Sequence, residues 1–372
     1  MTEAELTLTV PTLFGLESVV AGELKRLGLT QVRAVDGRVR CQGAPADIAR
    51  LNLNLRSGER VLLELGSFPA RDFDELFEGV RALPWESFIP RSGAFPVKGY
   101  CLDSRLRSEP ACQSVIKKAV AERLTAAYGG LLPENGALHQ IQFALLRDEA
   151  ALLLDTTGPA LYKRGYRRGR VLAPLRETLA AGLVQLQRYR GREPFLDPHC
   201  GSGTICIEAA LIALNRAPGL DRSFAARKWP CLPAACWSDA AEEALEREFH
   251  GRYRIEGRDV DREALKAARL NAEAAGLEDI ISFRQQDSAR LTADSETGLI
   301  VTNPPYGERL LEAEQADALI RAFGRACAGL PAGWRVGVIS PQREFETLFG
   351  RRADKRRKLY NGKLPCQFYM YS

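Results

Sequence analysis

The stretch FLDPHCGSGTICIEAA (195–210) decides the fold. Its apolar start reads as a buried strand ending at Asp197, and the apolar run from Thr204 reads as a helix. Between them lies a glycine turn through Cys200, Gly201 and Gly203. Glycines there let the backbone approach a ligand without Cβ interference. The helix start offers N–H groups that have no intrahelical partner. The spacing is not the G-x-G-x-x-G of dinucleotide sites, which disfavours NAD. A carboxylate at the strand end would repel a pyrophosphate and attract an ammonium. Taken alone, the turn is equally well read as a plain tight turn.

Working outward, strands and helices alternate from residue 159 onward. APLRETLAAGLVQLQRY (173–189) is a helix, followed by the strand EPFLD, the strand RYRIEGRD (252–259) and the helix REALKAARLNAEAAG (262–276). ISFRQQD (281–287), TGLIVTN (297–303), a helix after Ala313 and WRVGVIS (334–340) complete the series. This rhythm predicts a parallel, doubly wound sheet, in which ligands lie beyond the carboxyl ends of the strands. Three carboxylates fall there: Asp197, Asp259 and Asp287. Asp259 can accept from both hydroxyls of a ribose, and Asp287 from an adenine amine. Asp261 reads as a helix N-cap.

VTNPPYGERL (301–310) follows the next strand. Two prolines remove two donors and fix two φ angles, and the residue before a proline is pushed toward extended geometry. The strand therefore runs into a rigid loop. There the Asn303 side-chain oxygen and the Pro304 carbonyl can hold an amine by its two hydrogens. Tyr306 can stack on a flat ring.

Toward the N-terminus the rhythm differs. LTLTV (6–10), GLESVVAGELKRLG (15–28), QVRAV (31–35), RVRCQG (38–43), ADIARLNLNLR (46–56) and RVLLELGSF (60–68) run βαββαβ, the ferredoxin-like order. Asp36-Gly37 is a two-residue hairpin signal. Residues 69–158 form another α+β unit. It comprises a helix at FDELFEGVRAL, a strand at AFPVKGYC and a long helix stopped by Gly129-Gly130. HQIQFALLRDEAALLLDTTG then reads as a hairpin turning near Asp148-Glu149.

The chain has 372 residues with 45% hydrophobic and 27% charged content, ordinary for a water-soluble protein. No apolar run reaches the roughly 18 residues a membrane span needs. The acidic start MTEAELTLTV lacks the features of a signal peptide, so a cytoplasmic location is expected. Nine scattered cysteines with no C-x-x-C pair, and three histidines, give no zinc pattern. No metal is expected. Net charge is only +5, but KRGYRRGR (163–170) and RRADKRRK (351–358) concentrate cations beside Tyr162, Tyr166 and Tyr360. Such runs are either solvated surface or the footprint of a polyanion such as RNA. Lys98, Arg105, Arg107, Lys117 and Lys118 form a further group, with Lys163, Arg164, Arg167, Arg168, Arg356 and Arg357 as candidates in the two runs.

The order D-P-x-C-G-S-G-T, G-x-D-V-D, strand-end Asp and N-P-P-Y-G-E-R resembles class I S-adenosylmethionine-dependent methyltransferases acting on exocyclic amines. FPVKGYCLDSRLRSEPACQSVIKKAVAERL (95–124) resembles the THUMP domain, an RNA-binding module. Together they resemble the bacterial rRNA guanine-N2 methyltransferases over nearly the whole chain. LYKRGYR, APLRETLAAGL, the insertion APGLDRSFAARKW (217–229) and the ending NGKLPCQFYMY (361–371) are similar to that family as well.

The resemblance implies a Rossmann-like class I methyltransferase domain (159–372) preceded by ferredoxin-like (1–68) and THUMP (69–158) domains. It implies S-adenosylmethionine as cofactor, with Arg176, Glu177 and Thr178 beside its methionine end. Asp197, Cys200, Gly201, Gly203, Thr204, Asp259, Asp287 and Asn303 would line its site. Asn303, Pro304 and Tyr306 would carry the chemistry on a guanine N2 amine, most simply in 23S rRNA. His199 departs from the apolar residue common at its position and reads as structural or solvent-facing. A tRNA guanine-N2 methyltransferase, a DNA adenine-amine methyltransferase and a non-catalytic RNA-binding assembly factor stay open as alternatives. Oligomeric state is not legible.

Overall fold

A computed structural model describes residues 5–35, 37–168, 175–306 and 310–372, with the backbone alone at 310–313. Asp36 of the hairpin signal, the end of the first basic run (169–170) and residues 307–309 after Tyr306 lie outside the described residues. The chain divides into two compact units. One holds Met1–Pro11, Ala21–Leu161 and Arg222–Glu243; the other holds Thr12–Val20, Tyr162–Asp221 and Ala244–Ser372.

The first unit begins β1 (Leu6–Pro11), α1 (Glu17–Arg26), β2 (Thr30–Val35), β3 (Arg38–Gly43), α2 (Pro45–Asn54) and β4 (Leu62–Pro69). It continues α3 (Phe73–Ala82), β5 (Val97–Leu102), α4 (Glu109–Tyr128), β6 (Ile141–Leu146) and β7 (Glu149–Asp155). The ferredoxin-like order and the second α+β unit are both present. They share one seven-stranded sheet, ordered β2-β3-β1-β4-β7-β6-β5. β4 is the join, pairing antiparallel with β1 on one side and with β7 on the other. α3 starts on Asp72, whose side chain accepts from the Glu75 N–H, and α4 ends on Gly129 at φ +70°. The β6–β7 turn places Arg147 and Asp148 at positive φ.

The segment Arg222–Glu243 packs within this first unit although it interrupts the later part of the chain. Trp229 stacks on His139 at 4.7 Å and donates its indole N–H to the Leu138 carbonyl at 2.9 Å. Arg222 donates to the Leu161 carbonyl at 3.0 Å. Phe224, Ala226 and Trp229 of the FAARKW stretch are thus buried there.

The second unit contains α5 (Glu177–Leu186), β8 (Phe195–Asp197), α6 (Thr204–Ala213), α7 (Ala235–Glu246, whose first part belongs to the first unit), β9 (Ile255–Asp259) and α8 (Arg262–Ala274). After these come β10 (Ile281–Gln285), β11 (Thr297–Thr302), α9 (Leu310–Ala328), β12 (Gly333–Ser340), α10 (Phe345–Phe349), β13 (Lys355–Asn361) and β14 (Leu364–Tyr371). The sheet order is β10-β9-β8-β11-β12-β14-β13. β10, β9, β8, β11 and β12 run parallel, and β14 and β13 close the edge as an antiparallel hairpin. This is the Rossmann-like class I arrangement. Chain order reverses between β8 and β11, which makes their carboxyl ends the switch point. α6 is buried along its whole length, which explains its continuous apolar sequence.

Thr12–Val20 joins this second core. Leu16 is fully buried in it, and Arg357 donates to the Gly15 carbonyl and the Ser18 hydroxyl, each at 2.7 Å. Gly15 sits at φ +91°, and a side chain there would collide with the Lys358 carbonyl.

Candidate active site

The glycine turn has the geometry its sequence calls for. Gly201 (φ +49°) and Gly203 (φ +80°) are both left-handed, and Gly203 caps α6. An added Cβ at Gly201 would face open space, whereas one at Gly203 would lie 3.1 Å from Ala268 and from the Phe283 ring. Gly201 therefore gives a ligand room, and Gly203 lets α6 pack on its neighbours. Asp259, at the end of β9, ties two loops together. Its carboxylate accepts from the Gly201 N–H at 2.9 Å and from the Asp261 N–H at 3.0 Å. A carboxylate has about four lone-pair sites, so acceptor capacity remains for a ligand. Asp261 caps α8 by accepting from the Glu263 N–H.

Below the turn runs a polar chain that sequence reasoning did not assemble. Asp197 is buried, and its Oδ1 accepts from the Thr302 hydroxyl at 2.7 Å and from the His199 N–H at 3.1 Å. Thr302 gives its proton to Asp197, so its oxygen accepts from His199 Nδ1 at 3.1 Å. His199 Nε2 is then the acceptor for the Ser288 hydroxyl at 2.9 Å. Proton accounting thus fixes the Nδ1–H tautomer. The chain links the loops after β8 and β10 to the last residue of β11. Burial pushes the Asp197 carboxyl up to about 7, with bonds from Thr302 and His199 opposing and the Asp259 charge adding. Burial lowers His199 to about 4, so its ring is neutral near pH 7. His199 is structural, but it also faces the cavity described next.

A cavity of about 680 Å³ opens at the switch point. Among the predicted residues, Arg176, Gly201, Asp259, Asp287, Asn303, Pro304 and Tyr306 line it. Asp287 caps the short turn after β10 by accepting from the Ala289 N–H at 2.9 Å. Asn303 and Tyr306 touch, the phenol donating to the Asn303 side-chain oxygen. Burial raises the Tyr306 phenol well above its usual range, so this hydroxyl is no base. Asp197, Cys200, Gly203 and Thr204 are not in the wall: Asp197 ends β8, Cys200 and Gly203 belong to the turn, and Thr204 opens α6. Burial pushes the Cys200 thiol up, and its backbone N–H donates to the Arg258 carbonyl.

Glu177 and Thr178 open α5 and are buried. Glu177 pairs with Arg167 at 2.9 Å beside a smaller hollow of about 310 Å³. The lining residues that sequence reasoning missed include Val260, Ser288, Leu319, Asn361 and Leu364. Val260 carried one signal in the sequence, an apolar residue directly after a strand-end acid, and the fold leaves it 59% exposed.

The candidate RNA-facing cations separate by environment. Lys98, Lys118, Lys163 and Arg168 are exposed. Arg105 is exposed with Asp148 at 3.7 Å. Lys117 lies 3.4 Å from the Phe95 ring centroid and pairs with Glu134. Arg356 pairs with Glu346 at 2.6 Å. Three candidates do internal work instead. Arg164 is 5% exposed against the fully buried Glu208, which also accepts from the Tyr166 hydroxyl. Arg167 bonds Glu177, the Leu175 carbonyl, Ser202 and Thr204, and so braces the start of α6. Arg357 anchors Gly15 and Ser18. A cation run in sequence cannot reveal which members find acids inside the fold.

A family model described as "RMKL-like, methyltransferase domain" matches residues 164–370. The chain belongs to that family. Models of the RlmL ferredoxin-like domain and of the THUMP domain match residues 7–62 and 70–155. "Putative RNA methyltransferase YpsC" of Bacillus subtilis is 41% identical over 98% of this chain and 95% of its own length. "Ribosomal RNA large subunit methyltransferase K/L" of Psychromonas ingrahamii is 32% identical over 98% of this chain. The chain spans 50% of that relative's length. The crystal structure of SMU.472, described as a "putative methyltransferase complexed with SAH", is 40% identical, with a TM-score of 0.94 over 99% of this chain and 98% of that one. This family member is a methyltransferase whose cofactor is S-adenosylmethionine.

The cavity fits that cofactor. It offers a glycine turn open at Gly201 and carboxylates with remaining acceptor capacity at Asp259 and Asp287. Among the described residues, no acid, His or Cys cluster could hold a metal ion, and no helix is long and apolar enough to cross a membrane.

Proposed function

We propose that this S-adenosylmethionine-dependent methyltransferase acts on RNA, transferring a methyl group to the exocyclic N2 amine of a guanine, with 23S rRNA as the substrate, in the cytoplasm. The reading assigns anchoring of the RNA to residues 1–68 and 69–158 and chemistry to 159–372. Its RNA part is supported by the THUMP match and by the names of the relatives; its amine part rests on Asn303. This residue's side-chain oxygen and the Pro304 backbone sit at the carboxyl end of β11, in the same cavity as Gly201 and the Asp259 carboxylate.

In this reading, Asn303 Oδ1 and the Pro304 carbonyl each accept one hydrogen of the target amine. That holds the nitrogen lone pair out of conjugation with the ring and free to react. Tyr306 stacks on the base, and its hydroxyl gives up the Asn303 oxygen when the amine arrives. S-adenosylmethionine, when bound, supplies a methyl group on a positively charged sulfur, so a neutral amine is a sufficient nucleophile. The amine would gain the methyl carbon as the carbon–sulfur bond breaks, its electron pair staying with the departing thioether, and would shed one proton to solvent. His199 is not the base, since both its nitrogens are engaged by Thr302 and Ser288. Ordering of the reacting groups supplies most of the rate, a term that can reach about 7–11 kcal/mol. A paired base cannot reach such a site and must be unpaired or flipped out.

Single-turnover transfer from labelled S-adenosylmethionine to 23S rRNA and to tRNA, followed by nucleoside mass spectrometry, tests the reading. N2-methylguanosine from rRNA is expected, with transfer in Asn303→Ala falling at least 100-fold while S-adenosylhomocysteine affinity holds. Product in tRNA alone would move the substrate class, N6-methyladenosine would overturn the guanine assignment, and full activity in Asn303→Ala would overturn the role of the loop.

A further inference from the structure

Beyond the parallel strands, β13 and β14 form a hairpin with a two-residue turn, Gly362-Lys363, closed by the pair Asn361↔Leu364. Gly362 is left-handed at φ +64°, as a tight hairpin turn requires. This turn brings Asn361, Gly362 and Leu364 into the wall of the 680 Å³ cavity, with Asn303, Pro304, Pro305 and Tyr306. The Tyr306 hydroxyl donates to the Asn303 side-chain oxygen, and the Asn361 side chain acts on the same phenol, opposing the rise that burial causes. Two carboxamide residues therefore stand with Tyr306 in one cavity wall, beside the group proposed to hold the amine. One of them, Asn303, has a role in that reading. The other has none.

We propose that Asn361 is the residue that selects guanine, reading the N1–H and O6 edge of the base whose N2 amine Asn303 holds. This rests on the guanine-N2 reading above. A carboxamide carries an acceptor and a donor side by side. Guanine presents, next to its amine, a donor at N1 and then an acceptor at O6. The Asn361 oxygen accepts from N1–H and its NH2 donates to O6. Adenine or cytosine, entering by the exocyclic amine, presents a bare ring-nitrogen acceptor beside it where guanine has N1–H, and adenine also lacks a carbonyl in the O6 position. Either base leaves the Asn361 oxygen facing no donor inside a partly closed site, which disfavours it.

The test uses an RNA oligonucleotide spanning the nucleotide that wild-type protein methylates, made with guanine or with 2-aminopurine there. 2-Aminopurine keeps the amine but lacks both N1–H and O6. Wild type should prefer guanine, and Asn361→Ala should lower guanine kcat/KM about 10- to 100-fold, the discrimination of one bidentate base contact. The same variant should slow 2-aminopurine far less, so that the preference collapses. Asn361→Asp, which keeps the acceptor and the shape of the turn, should lose most of the preference through O6 while S-adenosylhomocysteine affinity stays at the wild-type value. If guanine and 2-aminopurine transfer fall by the same factor in both variants, Asn361 only supports the hairpin and the proposal is wrong. It is also wrong if both variants retain the wild-type preference, even where wild type makes N2-methylguanosine. A wild-type product other than N2-methylguanosine removes the guanine reading itself, and this proposal with it.

Discussion

Replacing Asp197 with Asn isolates the cost of a buried carboxylate. Both hydrogen bonds to the side chain, from the Thr302 hydroxyl and the His199 N–H, fall on Oδ1, so an Asn oxygen can keep them. In the unfolded chain the carboxyl loses its proton near 3.9. In the fold, burial holds the proton up to about 7. Between those values folding takes up a proton, so rising pH weakens the native state, and the loss is complete once pH passes the folded value. From pH 5 to pH 8 this group alone removes about 2.5 kcal/mol of stability. The Asn variant has no such titration. Its stability relative to wild type should therefore rise by about that amount over the same interval, while every other titrating group cancels in the comparison. Urea midpoints of wild type and Asp197→Asn, followed by tryptophan fluorescence at both pH values, measure it. Parallel pH profiles for the two proteins would refute the reasoning, because they would mean that the buried carboxylate titrates as it does in water.

The two glycines of the turn should fail differently: Gly203→Ala, crowded by Ala268 and Phe283, should cost about 1–2 kcal/mol of stability, whereas Gly201→Ala should mainly raise the S-adenosylhomocysteine Kd; melting curves and calorimetry separate them. Arg164→Ala removes the guanidinium beside the buried Glu208 carboxylate and should destabilise the protein by about 3–5 kcal/mol. It should leave the salt dependence of RNA binding unchanged, as urea melts and filter binding at several salt concentrations will report. The exposed cations behave in the opposite way. Lys98→Ala, Lys118→Ala and Arg168→Ala together should spare stability and reduce the slope of log K against log salt by about 2; an unchanged slope would make them solvated surface.

Sequence alone determined the parts governed by local chemistry. Asp197, the left-handed Gly201 and Gly203 and the start of α6 follow from one strand–turn–helix stretch, because glycine is nearly free to adopt positive φ and an apolar run must be buried. The strand–helix alternation specified the doubly wound sheet and put Asp259 and Asn303 at strand ends. Tertiary structure decided which groups meet. β13 lay hidden in a basic run, since exposed Lys and Arg on an edge strand look like surface until the partner strand is known. Asn361 reached the cavity only through that hairpin. Arg164 and Arg167 were indistinguishable from their neighbours until burial paired them with Glu208 and Glu177. Arg222–Glu243 found its burial partners around His139 and Leu138, far away in sequence. Backbone preference and hydrophobic period act over a few residues and can be read along the chain. Charge pairing and desolvation depend on which distant atoms come within a few ångströms, and the fold alone sets that.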